Sequence, residues 1–254
     1  LLNRHLFYLE KQPDAIPYIT SYYKKNWGFC ISYNNYLKIN KNSKFKVIID
    51  SELDENGNLA YGELLIPGKV KKEIFFSSYI CHPQMLNNEL SGPAVLTAIA
   101  KKIIKTNNYY SYRFTLVPET IGSITYIFKN FDALKKNVFG GFNITCVGDD
   151  REWSFLPSRK GNTISDKIAK HILKHYTKSY IEYSWLDRGS DGRQYCSPHV
   201  DLPISSIMRS KYGTFPEYHT SLDNFNLVTS RALNDSLKMY LKVIEVFEKN
   251  IIKP

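Results

Sequence analysis

The pattern of hydrophobic and polar positions from Glu73 onward predicts an α/β domain. Short apolar runs alternate with segments whose apolar residues recur at helical spacing, which is typical of strands joined by helices in a largely parallel or mixed sheet. The predicted strands are EIFFSSYI (73–80), YRFTLVP (112–118), VFGGFNITCVG (138–148), YIEYSW (180–185) and LPISSIM (202–208). The predicted helices cover 91–105, 121–136, 163–176 and 230–249.

The segment before Glu73 has a different pattern. Two alternating runs, KFKVIIDSEL and LAYGELLIPG, flank the dipeptide Asn56-Gly57, which is typical of a two-residue hairpin turn. This hairpin predicts a small β-rich element inserted into a mixed, largely parallel sheet flanked by helices. The predicted division of the chain is 28–68 for the insertion and 1–27 with 69–254 for the α/β domain.

The composition is that of an ordinary globular chain. Of 254 residues, 43% are hydrophobic and 23% are charged, a balance that supports a sizeable core. No run of about 18 apolar residues occurs, so neither a membrane-spanning helix nor a membrane partner is predicted. We expect a soluble, cytoplasmic protein, and Leu1 in place of an initiating Met indicates a fragment of a longer chain.

The four cysteines are far apart in the sequence and form no CxxC pair. This spacing argues against a zinc ribbon and against a disulfide framework. Buried, reduced thiols are the interpretation that a cytoplasmic protein favours. The residues concerned are Cys30, Cys81, Cys146 and Cys196.

The net charge of +10 raises the question of a nucleic-acid partner. The lysines are spread over the whole chain, with only short clusters such as Lys71-Lys72 and Lys101-Lys102. No basic helix concentrates them on one surface. The charge therefore indicates a solvated surface, and no nucleic-acid partner is predicted.

Polar side chains follow three of the predicted strands at the point where each strand ends. They are His82, Glu119 and the pair Asp149-Asp150. In open α/β sheets, ligands bind at the carboxyl ends of the strands. Each residue alone also has a structural explanation, because a histidine can be a core residue, a glutamate can lie at a helix N-terminus, and aspartates are common in turns. Their coincidence at strand ends favours a functional site.

Common catalytic motifs are missing from the sequence. It contains no GxSxG elbow, no P-loop and no GxGxxG, which removes the main support for a serine hydrolase or a nucleotide-binding protein. His171 and His175 have the i, i+4 spacing of a zinc pair, but no Glu follows His171, so the HExxH signature is not met. We expect these two histidines to be solvated.

Four motifs carry a family resemblance. YICHPQMLNNELSGP, LVPETIGS, GSDGRQYCSP and YHTSLDN, in this order, resemble an aminopeptidase-like family of unknown function that is common in bacterial polysaccharide-biosynthesis gene clusters. That family is similar to the zinc aminopeptidases and glutaminyl cyclases. The resemblance runs from about His5 to Asn226. It implies the zinc-aminopeptidase fold.

The resemblance also implies roles for individual residues. His82 and His219 match the two metal-binding histidines, and Glu119 matches the general base. Three acidic positions of the two-zinc site are replaced, by Asn88, Thr120 and Thr145. Because a two-zinc site needs several anionic ligands, the resemblance implies one zinc ion rather than two. Glu89 is the first choice for the third metal ligand, and the alternatives are Glu119, Asp149, Asp150 and Asp191.

The function that this pattern predicts is a zinc-dependent hydrolase of the aminopeptidase type. Its substrate would be an amide bond in a small peptide or an amino-acid-modified sugar. Tyr218 or Arg193 would stabilise the oxyanion, and the substrate-binding set comprises Asn88, Asp191, Arg193 and Tyr218. The alternative is a catalytically degenerate peptidase scaffold that binds a carbohydrate or a protein partner in surface-polysaccharide biosynthesis, which the replaced acidic positions favour.

Overall fold

The first elements of the chain are short. In this computed structural model, which describes residues 4–20, 25–40, 42–52 and 54–250, β1 (Leu6–Phe7) pairs in parallel with β2 (Phe29–Cys30). A short helix, α1 (Tyr33–Tyr36), follows, and the Ser32 side chain caps it by accepting the Asn35 N–H. The large elements begin only after residue 60.

A mixed sheet forms the centre of the domain. Its strands are β3 (Gly62–Ile66), β4 (Val70–Tyr79), β5 (Tyr110–Val117), β6 (Val138–Asn143), β7 (Trp153–Leu156), β8 (Tyr180–Glu182) and β9 (Ile204–Met208). Within the described residues, the seven strands have the order β3-β5-β4-β6-β9-β7-β8. The central strands β5, β4, β6 and β9 run parallel to one another. β3 pairs antiparallel with β5, and β7 pairs antiparallel with β9 and parallel with β8. The predicted fold class is confirmed.

Helices flank the sheet; the four long ones lie close to where the sequence predicts them, and the short helix at 190–195 was not predicted. They are α2 (Ser91–Ile103), α3 (Ile121–Asn137), α4 (Ile164–Tyr176), α5 (Ser190–Tyr195) and α6 (Ser230–Lys249). Thr163 begins α4 with a capping box in which Asp166 is the reciprocal partner, and Thr229 caps α6 by accepting the Ala232 N–H. Among the described residues, no helix has the length and apolar character needed to cross a bilayer.

Successive side chains of β4 point to opposite faces of the sheet and pack into two different hydrophobic cores. Ile74 and Phe76 point into the larger core, which includes residues of α2, α4 and α6. Phe75 points to the opposite face, where it packs with Tyr126 of α3 and Tyr195 of α5. From Glu73 to Tyr79 β4 is buried on both faces, and this part reads EIFFSSY, without the strict alternation of apolar and polar residues that is typical of a half-exposed strand. The result is a three-layer helix–sheet–helix domain.

The predicted hairpin around Asn56-Gly57 is wrong. Residues 44–52 form no strand, and residue 53 lies outside the described residues. The second predicted arm is β3, which pairs antiparallel with β5, so that Leu64 lies opposite Phe114. An isolated two-stranded hairpin is only marginally stable, whereas an edge position on an existing sheet supplies both hydrogen bonds and a packed face. The boundary of the insertion at 28–68 stays a prediction.

The four thiols, all within the described ranges, are free. Cys146 and Cys196 are buried as predicted, and Cys30 is half-buried. Cys81 is exposed, so the prediction of a buried thiol is wrong there. The difference arises because Cys81 lies two residues beyond the end of β4, at the carboxyl end of the sheet, where the polar strand ends meet.

Candidate metal centre

Two neighbouring strands deliver His82 and Glu119 to the same edge of the sheet. β4 and β5 are parallel, and their last paired residues are Tyr79 and Val117. The segments that follow therefore begin side by side. The Cys81 side chain contacts both His82 and Glu119: its Sγ atom lies 2.8 Å from His82 Nδ1 and 3.6 Å from Glu119 Oε2. The sequence prediction that these strand ends converge is confirmed for this pair.

A π-helical turn, Leu86–Leu90, follows His82 and leads directly into α2. Its wider i→i+5 bonding includes the Leu90 N–H donated to the Met85 carbonyl at 3.1 Å. The Asp223 carboxylate accepts the N–H groups of Asn87 at 2.6 Å and of Asn88 at 2.9 Å. These two bonds tie the turn to the loop that carries His219. Single π turns of this kind are frequent at functional sites.

Glu89 and His82 form a buried pair at the centre of the cluster. Glu89 is 1% exposed and His82 is 3% exposed. Glu89 Oε2 lies 3.3 Å from His82 Nδ1, and Glu89 Oε1 accepts the Cys81 N–H. Burial raises the pKa of Glu89, and the N–H groups of Cys81 and His82 oppose that rise. His82 Nε2 is buried without a hydrogen-bond partner.

His219 lies beside His82, with 5.1 Å between their ring centroids. Tyr218 stacks on His219 at 4.0 Å, and the Tyr18 ring meets both imidazoles edge-on, at 4.5 Å from His82 and 5.5 Å from His219. The backbone of His219 has φ 55°, a left-handed conformation that costs energy in a residue other than glycine. Burial, with a smaller contribution from His82, lowers the pKa of His219. The neutral imidazole, which is the metal-binding form, is thus favoured.

The two histidines fit one zinc ion. When two imidazoles bind a tetrahedral zinc at about 2.0–2.1 Å, their ring centroids lie about 5 Å apart. The observed separation of 5.1 Å agrees with that arrangement. A buried imidazole nitrogen without a partner, His82 Nε2, is the ligand atom such an ion would use. Within the described part of the chain, the group of three potential ligand residues whose ligand atoms lie within 4.8 Å of one another is Cys81, His82 and Glu89, and His219 is not part of it.

The residues that the resemblance assigns to a second metal position are uncharged. They are Asn88 and Thr145, and the hydroxyl of Tyr79 connects them. Tyr79 Oη lies 2.5 Å from Thr145 Oγ1, 2.8 Å from the Asn88 carbonyl oxygen and 3.3 Å from Asn88 Oδ1. The Tyr79 hydroxyl is thus already hydrogen-bonded to the uncharged oxygen atoms of Asn88 and Thr145. No carboxylate belongs to this hydrogen-bonded trio.

A strained turn presents Glu119. Ile121 donates its N–H to the Glu119 carbonyl at 2.7 Å, and Thr120 has φ 61° and ψ −64°, the values of a γ-turn that residues with a side chain rarely adopt. The Thr120 N–H is donated to Asp191 Oδ1 at 2.7 Å. Asp191 is fully buried, its Oδ2 has no hydrogen-bond partner, and burial raises its pKa to about 7. Strain of this kind persists where surrounding contacts enforce it.

Other residues predicted for the site lie apart from this cluster. Asp149 accepts hydrogen bonds from Asn87 and Ser210, and Asp150 pairs with Arg231. Both serve loop structure. Arg193 of α5 is exposed, and its side chain makes no hydrogen bond or ion pair to another described residue, so its role at the site stays a prediction.

The sequence interpretation missed four residues that shape the site. Cys81 adjoins His82 in the sequence, and Asp223 lies in the YHTSLDN motif, so proximity to a motif could have indicated both. No sequence signal marks Tyr79 as a neighbour of Thr145. Tyr18 reaches the histidines because its N–H bonds the His219 carbonyl, a contact between distant parts of the chain.

Comparison with known proteins gives two relatives from Clostridium acetobutylicum. A protein named as a polysaccharide biosynthesis protein with an aminopeptidase-like domain is 44% identical over 249 residues, which cover 98% of this chain and 56% of that protein. A crystal structure of a protein named as a peptidase is 43% identical with a TM-score of 0.94, and the match covers 98% of this chain and 58% of that one. This chain therefore spans less than two thirds of the length of either relative.

More distant structures share the fold. A zinc aminopeptidase from Bacillus subtilis has a TM-score of 0.61 at 14% identity, covering 76% of this chain and 51% of that one. At this identity the likeness shows the aminopeptidase fold alone. A family model described as a domain of unknown function (DUF4910) matches residues 15–250. The chain, with its aminopeptidase-like fold, belongs to the DUF4910 family.

Proposed function

We propose that the protein is a zinc-dependent hydrolase of the aminopeptidase type that uses one metal ion and cleaves an amide bond. The observation that supports this proposal is the pair of imidazoles at the carboxyl end of the sheet, 5.1 Å apart, one of which has a buried nitrogen without a partner. His82 and His219 would hold the ion together with one carboxylate of the cluster. Three protein ligands are sufficient for a catalytic zinc ion.

Each residue near the histidines has a chemical role in this proposal. Bound zinc supplies Lewis-acid polarisation of the scissile carbonyl. Glu119, on its strained turn, accepts a proton from the attacking water and passes it to the leaving amine. Tyr218 stacks on His219, and because burial raises the pKa of its hydroxyl, it stays protonated and can donate a hydrogen bond to the developing oxyanion. Asp191 holds the turn that carries Glu119.

The substrate class rests on chemistry and on the relatives. We propose an amide in a small peptide or in an amino-acid-modified sugar. The Clostridium relative is named for polysaccharide biosynthesis and for an aminopeptidase-like domain, and an amide that joins an amino acid to a sugar combines both. Asn88 is a less suitable substrate ligand than Asp191, because Tyr79 and Asp223 already bond its side chain and backbone.

A second candidate function is a scaffold without catalysis. The observation that favours it is the Tyr79 hydroxyl between Asn88 and Thr145, which replaces an anionic two-metal site with a neutral hydrogen-bonded trio. In that case the domain would bind a carbohydrate or a protein partner. The two functions differ in one measurable property, which is whether the protein binds zinc.

Metal content of the purified protein tests the proposal. Elemental mass spectrometry should find about one zinc per chain in the wild type and none in His219→Ala. His171→Ala is the matched control, because His171 is an exposed histidine of α4, and it should keep the metal. A wild-type protein that takes up no zinc after incubation with the ion would contradict the hydrolase and favour the scaffold. Zinc-loaded protein would justify a screen of aminoacyl amides.

A further inference from the structure

Glu89 has little capacity left for a metal ion. A carboxylate offers about four acceptor positions on its two oxygens. Oε1 accepts the Cys81 N–H and Oε2 faces His82 Nδ1 at 3.3 Å. Both oxygens are therefore already engaged inside a site that is 1% exposed. A carboxylate in this position orients its neighbours.

The two ring nitrogens of His82 have different surroundings, and only Nδ1 faces Glu89. A neutral imidazole carries a proton on one nitrogen and a lone pair on the other. When Nδ1 carries the proton and donates a hydrogen bond to Glu89, the lone pair is on Nε2, the buried atom without a partner. Metal-binding histidines commonly donate their second N–H to a carboxylate, which fixes the tautomer and the ring orientation. The geometry of Glu89 and His82 matches this arrangement.

We propose that Glu89 is a positioning residue that holds His82 in the Nδ1–H tautomer, so that His82 Nε2 binds the metal and Glu89 does not. This inference rests on the proposed metal-dependent function for its consequence, but the tautomer can be measured without metal. Glu89 is then not the third protein ligand. The π turn contributes because it places Glu89 in reach of both His82 and the end of β4.

Cys81 is the competing partner for the same nitrogen. Its Sγ atom is 2.8 Å from His82 Nδ1, closer than the Glu89 oxygen. A thiol is a weak hydrogen-bond acceptor. The carboxylate is the stronger acceptor for an N–H donor. Substitution of each residue separately distinguishes the two partners.

Nitrogen-15 NMR of the histidine rings in metal-free protein is the first measurement, at a pH where the imidazoles are neutral. The signal of His82, assigned by its loss in His82→Ala, should report the Nδ1–H form in the wild type. Glu89→Ala should move His82 toward the Nε2–H form that free histidine favours. Glu89→Gln, whose amide oxygen can accept the same proton, should keep Nδ1–H, and so should Cys81→Ala. Circular dichroism checks that each variant is folded.

Zinc binding is the second measurement on the same variants. Loss of a carboxylate that orients a ligand histidine typically weakens metal binding by about 10- to 100-fold. Glu89→Ala should therefore still bind one zinc per chain at saturation, with an affinity lower by that factor, and Glu89→Gln should fall between it and the wild type.

Two results would overturn the proposal: an unchanged His82 tautomer in Glu89→Ala, or a switch in Cys81→Ala alone. A wild type that binds no zinc but shows the tautomer switch would contradict the proposed function and still support the positioning role.

Discussion

At the scale of one residue, the protonation state of Asp191 affects the stability of the folded protein. Its carboxyl group is fully buried, and burial raises its pKa to about 7, above the ordinary value of 3.8. The folded protein therefore holds a proton that the unfolded chain releases between about pH 4 and pH 7. Where the folded state binds more protons, stability falls as the pH rises. The contribution of this group is greatest below pH 4 and is lost as the pH approaches 7.

Asp191→Asn should remove this pH dependence. Asparagine keeps an oxygen for the Thr120 N–H but cannot ionise, so the variant avoids the cost of a buried charge. Since each pKa unit corresponds to about 1.4 kcal/mol, the wild type should lose about 4 kcal/mol relative to the variant between pH 4 and pH 7. Urea unfolding across this pH range measures the difference. Asp132→Asn, on an exposed position of α3, is the control and should follow the wild type. If the free energy of unfolding changed with pH in the same way for Asp191→Asn and the wild type, the burial argument would be contradicted.

At the scale of elements, α2 approaches the sheet so closely that only a glycine fits at its second position. A Cβ atom on Gly92 would lie 2.4 Å from Ser78 Oγ of β4 and 2.5 Å from the Ile144 carbonyl oxygen. These atoms are bonded to each other, because Ser78 Oγ donates to that carbonyl at 2.7 Å. The contact holds the start of α2, and with it the π turn, against β4 and the residue that follows β6.

Gly92→Ala should therefore destabilise the domain, because either the helix must move away or the Ser78 bond must break. Overpacking of this kind costs about 1–3 kcal/mol. Chemical denaturation measures the change in the free energy of unfolding. Gly62→Ala is a suitable control, since the nearest atom to its Cβ is 3.7 Å away, an ordinary contact. Equal stability of the two variants would mean that α2 adjusts without cost.

Helices and strands whose apolar residues recur at a regular spacing were predictable from the sequence, and the others were not. The four long helices were placed to within two residues because their apolar faces repeat at helical spacing. β7, four residues long, was missed because so short a run shows no period. β3 was recognised as a strand but assigned the wrong partner, since an alternating pattern does not say which neighbour the strand pairs with.

At the scale of the whole molecule, the candidate site draws on distant parts of the chain. His82 and Glu119 follow adjacent parallel strands, so the sequence could predict their proximity from strand order alone. Tyr18 and Asp223 could not be predicted, because they reach the site through loop contacts, such as the Tyr18 N–H bond to the His219 carbonyl. Binding at this site should therefore stabilise the fold as a whole.

Zinc should raise the thermal stability of the protein if His82 and His219 share an ion. A ligand at 100 times its dissociation constant stabilises the folded state by about 2.7 kcal/mol. For a chain of this size, that corresponds to a rise in Tm of about 5–10 °C. Differential scanning calorimetry with zinc and with a chelator measures the shift, which His82→Ala and His219→Ala should lose and His171→Ala should keep. A shift retained in both active-site variants would place the metal elsewhere, because each removes one of the two imidazoles that lie 5.1 Å apart.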